Sequence, residues 1–198
     1  MTKTLATAGA AILATTATTE AQTKWNFDAS HTKVEFTVQH LLISEVTGNF
    51  KVFEGSVVSP SEDFTNSDIQ FSVDIASINT DNADRDNHLK SDDFFNAEKF
   101  PKMTFKSTSF KKVDGKNYKL SGNLTIRDIT KPITFDVVYN GIANDPWGNT
   151  KAGFKLKGEI SRFDYNLKWN ALTEIGGAVV GEMVEIIAKV ELDKEKAK

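Results

Sequence analysis

Residues 68–75 read Asp68-Ile69-Gln70-Phe71-Ser72-Val73-Asp74-Ile75, polar and apolar side chains in strict alternation. A strand turns successive side chains to opposite faces, so this octet predicts one face for a core and one for water. The same period of two recurs on both sides of it. Upstream, Val34, Phe36 and Val38 alternate with Glu35, Thr37 and Gln39. Downstream, Tyr118, Leu120, Leu124 and Ile126 share a face with Gly122, and Ile133, Phe135, Val137 and Tyr139 form another. Ala152, Phe154, Leu156 and Ile160 follow, and the last segment sets Val184, Ile186, Ala188, Val190 and Leu192 against Glu185, Lys189 and Glu191. Two less regular stretches, 46–58 and 102–110, complete a set of eight strands. Both change apolar parity partway, as Phe50 and Val52 do against Phe53 and Val57, which predicts bulges.

Turn chemistry separates the segments. Asp114-Gly115 predicts a hairpin, and Asn140-Gly141 with Pro146-Trp147-Gly148-Asn149 predicts another reversal. Residues 81–95 break the rhythm and fit a short helix plus a loop, with Arg85, His88 and Leu89 on one side of the helix. No linker, repeat or shift in composition divides 23–198, which predicts a single all-β domain. Eight antiparallel strands, each with one apolar face and almost no helix to cover it, must close into a barrel or fold into two layers. Large Phe residues spaced by Gly122, Ala152, Gly158 and Ala188 fit an elongated apolar cavity. The same alternation of large and small side chains also fills a tapering barrel solidly, so periodicity leaves hollow and filled interiors equally open.

Composition narrows the function. The 198 residues are 39% hydrophobic and 26% charged, ordinary globular usage that excludes a disordered or multispanning chain. Lys and Arg number 24 against 27 Asp and Glu, a formal charge of −3 that argues against nucleic acid as a partner. The absence of Cys removes disulfides, thiolate nucleophiles and Cys-ligated zinc. Fourteen Phe beside three Trp and three Tyr is the skewed figure, and it points to something oily buried or enclosed. Residues 1–22 carry Lys3, an apolar stretch from Leu5 to Ala14, then a Thr-rich segment and small residues near Ala21. A ten-residue helix rises only about 15 Å, too short for a bilayer core, so these are the parts of a secretory signal. A periplasmic or secreted location follows as an expectation.

Motifs for catalysis are missing: the sequence holds no GxSxG elbow, HExxH, P-loop or GxGxxG. His31, His40 and His88 have no metal-ligand spacing, and the acidic run Asp81, Asp84, Asp86, Asp92 and Asp93 lacks the alternating ligands and Gly of a calcium loop. His40 shares parity with Val34, Phe36 and Val38 and should point inward, either as a hydrogen-bonded core histidine or as a polar contact for a ligand head group.

The opening strand, from Trp25 through Asp28 and His31 to Val34, Phe36, Val38 and His40, resembles the start of the YceI-like family of polyisoprenoid-binding proteins. The likeness continues through Val46-Thr47-Gly48-Asn49-Phe50, Ser77-Ile78-Asn79-Thr80, Arg85-Asp86-Asn87-His88-Leu89 and Asp93-Phe94-Phe95. It extends through Phe100-Pro101, Gly122-Asn123-Leu124-Thr125-Ile126-Arg127 and Thr130-Lys131-Pro132-Ile133 to Val180-Gly181-Glu182-Met183-Val184, covering about 25–193. Asp128 and Asn166 stand where the family usually has Gly, and both residue types tolerate a left-handed backbone.

The resemblance implies a lipocalin-like barrel of eight antiparallel strands around a tunnel for a long isoprenoid, a quinone or polyprenyl species, or a similar amphiphile. It also implies export to the periplasm; with catalytic motifs missing, no cofactor is expected. On that reading the wall is Phe36, Val38, His40, Phe71, Val73, Phe105, Leu120, Leu124, Phe135, Val137, Phe154, Leu156 and Ile186. Arg85, Asp86, His88, Leu89, Phe94 and Phe95 form the head-group site or gate. An Arg-Asp pair beside a helix also has a purely structural use, tying a loop to the barrel. Transient membrane contact and a homodimer are the further partners expected. The competing reading is a filled barrel that acts through its outer surface, as an interaction or stress-response module. A lipid-directed enzyme, dependent on His40, His88 or Arg85, is a third.

Overall fold

The computed structural model describes residues 22–172 and 177–196, so the signal-like segment lies outside the described residues apart from its last residue. The strands are β1 (Thr23–Phe27), β2 (Lys33–His40), β3 (Ser44–Phe50), β4 (Phe53–Ser59), β5 (Asp68–Asp74), β6 (Ile78–Asn79), β7 (Lys102–Asp114), β8 (Asn117–Ile126), β9 (Ile129–Asn144), β10 (Thr150–Ser161) and β11 (Val180–Lys194). One short helix, α1 (Ala83–Lys90), precedes β7. Every pairing between strands is antiparallel.

Eleven segments make eight strands, because the first three are each bent once. β11 pairs with β2 through Val184–Lys189 and with β1 through Leu192–Lys194, so β1 and β2 run as one strand along it. β3 and β4 form the second bent strand, β5 and β6 the third. The circle closes where β1 pairs with both β4 and β11. Local chemistry makes the bends. At the first, Asp28 forms an Asx turn, its Oδ1 accepting from Ser30 N at 2.8 Å. At the second, Val52 N donates to Ser77 Oγ at 3.0 Å instead of continuing the ladder. At the third, Asp74 caps a 3-10 turn, Ile75–Ser77, by accepting from Ala76 N. The parity change expected in 46–58 is this second bend. The one expected in 102–110 is a register shift between Ser107 and Ser109, which lets Phe105 and Phe110 both point inward.

Two turn readings need correction. Asn140-Gly141 does not reverse the chain: β9 runs through it with a bulge, Gly141 at φ +112°, and the reversal falls at Asp145–Asn149. The left-handed residue of the β8–β9 hairpin is Arg127 (φ +55°) rather than Asp128, whereas Asn166 is left-handed (φ +58°). The interior glycines also work differently from spacers around a void. A Cβ on Gly122 would lie 2.4 Å from the Phe105 ring, and one on Gly158 2.6 Å from Phe135. Each glycine is a seat for a neighbouring phenyl ring.

Beyond the bends, β6 pairs only with β3, and β5 alone reaches β7. The wall therefore parts at this end, and α1 with residues 91–101 fills the gap. Asn82 caps α1, its side chain accepting from Arg85 N at 2.9 Å. Arg127 fastens the following loop by donating to the carbonyls of Asp92, Phe94 and Asn166 and to the Asp92 carboxylate.

Candidate ligand-binding site

Three apolar cavities follow one another along the barrel axis, beginning at the α1 end. The outer one, about 90 Å³, lies beneath Leu89, Phe94 and Phe95. The middle one, about 100 Å³, is walled by Phe71, Phe105 and Phe135 among others. The inner one, about 50 Å³, ends at Phe64 and Phe154. Neighbouring cavities share wall residues, so they form a single interrupted tunnel.

Phe64 closes the inner end. It comes from the loop between β4 and β5, is 1% exposed, and contacts the rings of Trp25, Tyr139 and Phe154 at 5.0–5.6 Å. Tyr118 stacks on Phe110 and donates its hydroxyl to the Asp63 carbonyl at 2.9 Å. Asp63 braces the loop by accepting from Thr65 N and Ser61 Oγ, and those hydrogen bonds hold its carboxyl below the ordinary range.

At the other end the tunnel meets a vestibule of about 190 Å³ bounded by His40, Arg85, His88, Leu89, Phe94 and Trp169, among others. No described carboxylate lines it, and Asp86 on α1 and Asp93 beside it are engaged. Asp86 accepts from Thr80 N and Oγ1 at 2.8 and 2.6 Å, and Asp93 lies 2.9 Å from His88 Nε2. Arg85 spends Nε and one Nη on Thr80, and its other nitrogen has no partner among the described residues. His88 meets Phe94 and Trp169 edge to face at 5.1 and 5.2 Å. Neither the His40 ring nor the Trp169 indole N–H forms a hydrogen bond with another described residue. The vestibule thus offers donors without a competing free carboxylate, a surface suited to a carbonyl or oxyanion.

The residues singled out from sequence fall along this path. Phe71, Val73, Phe105, Leu124 and Phe135 line the middle cavity; Val137 and Phe154 line the inner one; Leu120 and Leu156 line both. Phe36 lines the outer cavity, Ile186 the outer and middle, Val38 the outer cavity and vestibule. Leu89 and Phe94 separate vestibule from outer cavity, Phe95 lines the outer cavity, and His40, Arg85 and His88 belong to the vestibule. Asp86 lines none of these spaces; it ties α1 to Thr80.

Sequence reasoning did not single out Trp169, Met103 or Arg162 as site residues. Arg162 is 2% exposed beside the outer cavity, its guanidinium donating to the carbonyls of Gly181, Leu167, Trp169 and Val180 at 2.6–3.1 Å. Burial lowers its pKa, and the Glu182 charge opposes that shift. No periodic pattern marks it, because it sits on a 3-10 turn, Arg162–Tyr165, between two strands.

A second polar cluster lies at the first bend. Asp28, His31 and Glu191 bring ligand atoms within 4.8 Å of one another, a spacing that a metal ion could use. Lys151 already supplies the cation: its Nζ lies 2.7 Å from Asp28, 3.2 Å from Glu191 and 2.7 Å from Asp193. Burial works against the Asp28 charge, but hydrogen bonds from Lys151, Ser30 and His31 outweigh it and hold the carboxyl far below its ordinary range. The bonds to Asp193 and Asp28 raise Lys151 correspondingly. The knot ties the first bend to β10 and β11 through the Lys151 charge.

A closed antiparallel barrel with a blind apolar interior and a polar mouth is the lipocalin-like fold. The YceI-like domain model matches residues 25–192, and the chain belongs to that family. It is 37% identical over 185 residues, 93% of each chain, to a UPF0312 protein of Serratia proteamaculans. Among solved structures, the Campylobacter jejuni YCEI protein superposes with a TM-score of 0.67 at 35% identity, covering 80% of this chain and 90% of that one. A polyisoprenoid binding domain from Saccharophagus degradans has the same fold at 15% identity, with a TM-score of 0.61 over 86% of this chain and 98% of that one.

Proposed function

We propose that this protein binds a long-chain isoprenoid, a quinone or polyprenyl species, or a similar amphiphilic lipid, and sequesters or carries it without catalysis. The observation that carries the reading is the row of apolar cavities running from a donor-lined vestibule to an aromatic stop. The apolar chain occupies the row and the head group meets His40, Arg85, His88 and Trp169. Each buried methylene contributes about 0.8 kcal/mol, so an isoprene unit offers roughly 3–4 kcal/mol at most. Eight units would nominally exceed the ceiling of about −18 to −21 kcal/mol, so chain ordering must offset much of the gain. Release into water is slow on this reading, and delivery needs a receiving membrane. Export to the periplasm, supported by the signal-like residues 1–22, places the carrier beside such membranes. The contact surface we assign is the β2–β3 turn beside the vestibule, where Leu42 and Ile43 are 66% and 85% exposed.

Denaturing organic extraction of the purified protein, with mass spectrometry of the extract and native mass alongside, tests the reading. A stoichiometric isoprenoid is expected. An empty extract, persisting after incubation with lipid from the native host, would favour the filled-barrel interaction module, and the native mass reports a dimer in the same run. Val38→Trp and Leu124→Trp should each fold yet lose lipid loading; full loading in both would refute the tunnel.

A further inference from the structure

Among the described residues, the outer and middle cavities have three wall residues in common: Val34 on β2, Met103 on β7 and Ile186 on β11. In the closed circle β7 stands four strands from β11, so Met103 faces Ile186 across the full width of the barrel. Val34 and Ile186 are β-branched, which restricts χ1; Met103 is unbranched and turns about three side-chain bonds. The most adjustable of the three side chains at this neck is therefore Met103. Resting on the lipid-binding reading, we infer that Met103 is the specificity-determining gate that decides how far an apolar chain threads into the barrel.

The strand geometry turns the gate into a ruler. From Ile186 to Leu192 at the inner end, β11 runs about 20 Å, or roughly 15 Å along the axis after a barrel tilt of ~35–45°. An extended isoprene unit spans four main-chain bonds, about 5 Å. Some three units fit beyond the neck, while the short outer cavity takes one or two. A two-unit chain rests outside the gate; a four-unit chain must pass it.

The test is binding of geraniol (two units) and geranylgeraniol (four units) to the full protein, followed by native mass spectrometry titration. Wild type should hold the longer alcohol at least about tenfold more tightly, since the added units bury further apolar surface. Met103→Trp, whose ring also borders the outer cavity, should weaken geranylgeraniol at least about tenfold more than geraniol, erasing the wild-type preference for the longer chain. Met103→Ala, which folds without an extra ring to house, should exchange bound geranylgeraniol several-fold faster. Wild-type discrimination retained by Met103→Trp, or an unchanged exchange rate in Met103→Ala, would overturn the gate. Wild type binding neither alcohol would overturn the lipid-binding reading beneath it.

Discussion

The two ends of the barrel are built on opposite principles. At the inner end, aromatic rings from β1, β7, β8, β9, β10 and one loop lock together around Phe64, and the nearest polar groups brace the loop from outside. At the vestibule, strand pairing lapses, a helix with no buried residue bridges the gap, and the His40 ring and Trp169 indole N–H form no hydrogen bond among the described residues. The β2–β3 turn there puts Leu41 and Leu42 at φ +53° and +63°, a backbone that favours Asn or Gly. One end is optimised for packing; the other gives up packing for access. The difference teaches that tight packing and an open mouth are built by separable parts of a single barrel, and on the proposed function these carry stability and binding respectively.

Substitutions at each end should separate those properties. Phe64→Ala removes the keystone of the closed end and should lower stability by about 3–5 kcal/mol in urea denaturation. Lys151→Met leaves three carboxylates without their cation and should lose about 1–3 kcal/mol. That loss has a defined pH dependence. The folded Asp28 pKa lies below its unfolded value of about 3.9, so its contribution is complete above that value and fades as pH falls through the folded one. Lys151 is raised above about 10.4, so its contribution is complete below that value and fades as pH climbs beyond it. The deficit of Lys151→Met should thus be flat from about pH 5 to 9 and shrink below about pH 4.

The vestibule should answer in binding instead. Leu41→Asn with Leu42→Gly relieves two left-handed leucines and should raise stability by about 1–2 kcal/mol. The same pair should slow lipid transfer between phosphatidylethanolamine vesicles, measured by fluorescence dequenching, while loading from detergent stays unchanged. Equal transfer rates would remove this turn from the membrane contact. His40→Ala should weaken lipid binding by about 1 kcal/mol, the scale of one hydrogen bond, with little change in melting temperature. A large stability loss in His40→Ala would make that ring part of the core and blur the distinction between the ends.

Much of the architecture was legible in the chain. Alternation at 68–75 and its seven companions specifies eight half-buried strands, and parity changes at Phe50/Phe53 and Phe105/Phe110 mark where two of them bend or bulge. Those signals survive because side-chain direction in a strand is local, set residue by residue. Arg85, His88 and Leu89 were likewise placed on one side of a helix by spacing alone. Phe64 and Arg162 left no such trace, since each sits in a turn between strands and acquires its role from partners far away in sequence. Gly122 and Gly158 were legible as small interior positions, yet that a phenyl ring occupies each vacancy depends on the register of the neighbouring strand.

The sequence by itself determined the strand count, the inward faces and the family, because all three reside in local pattern and order. Only the tertiary structure decided that the interior holds three apolar cavities in a row, closed at Phe64, with Val34, Met103 and Ile186 shared by the outer two. Cavities are the residue of packing between strands distant in the chain, and no local period records how much space that packing leaves.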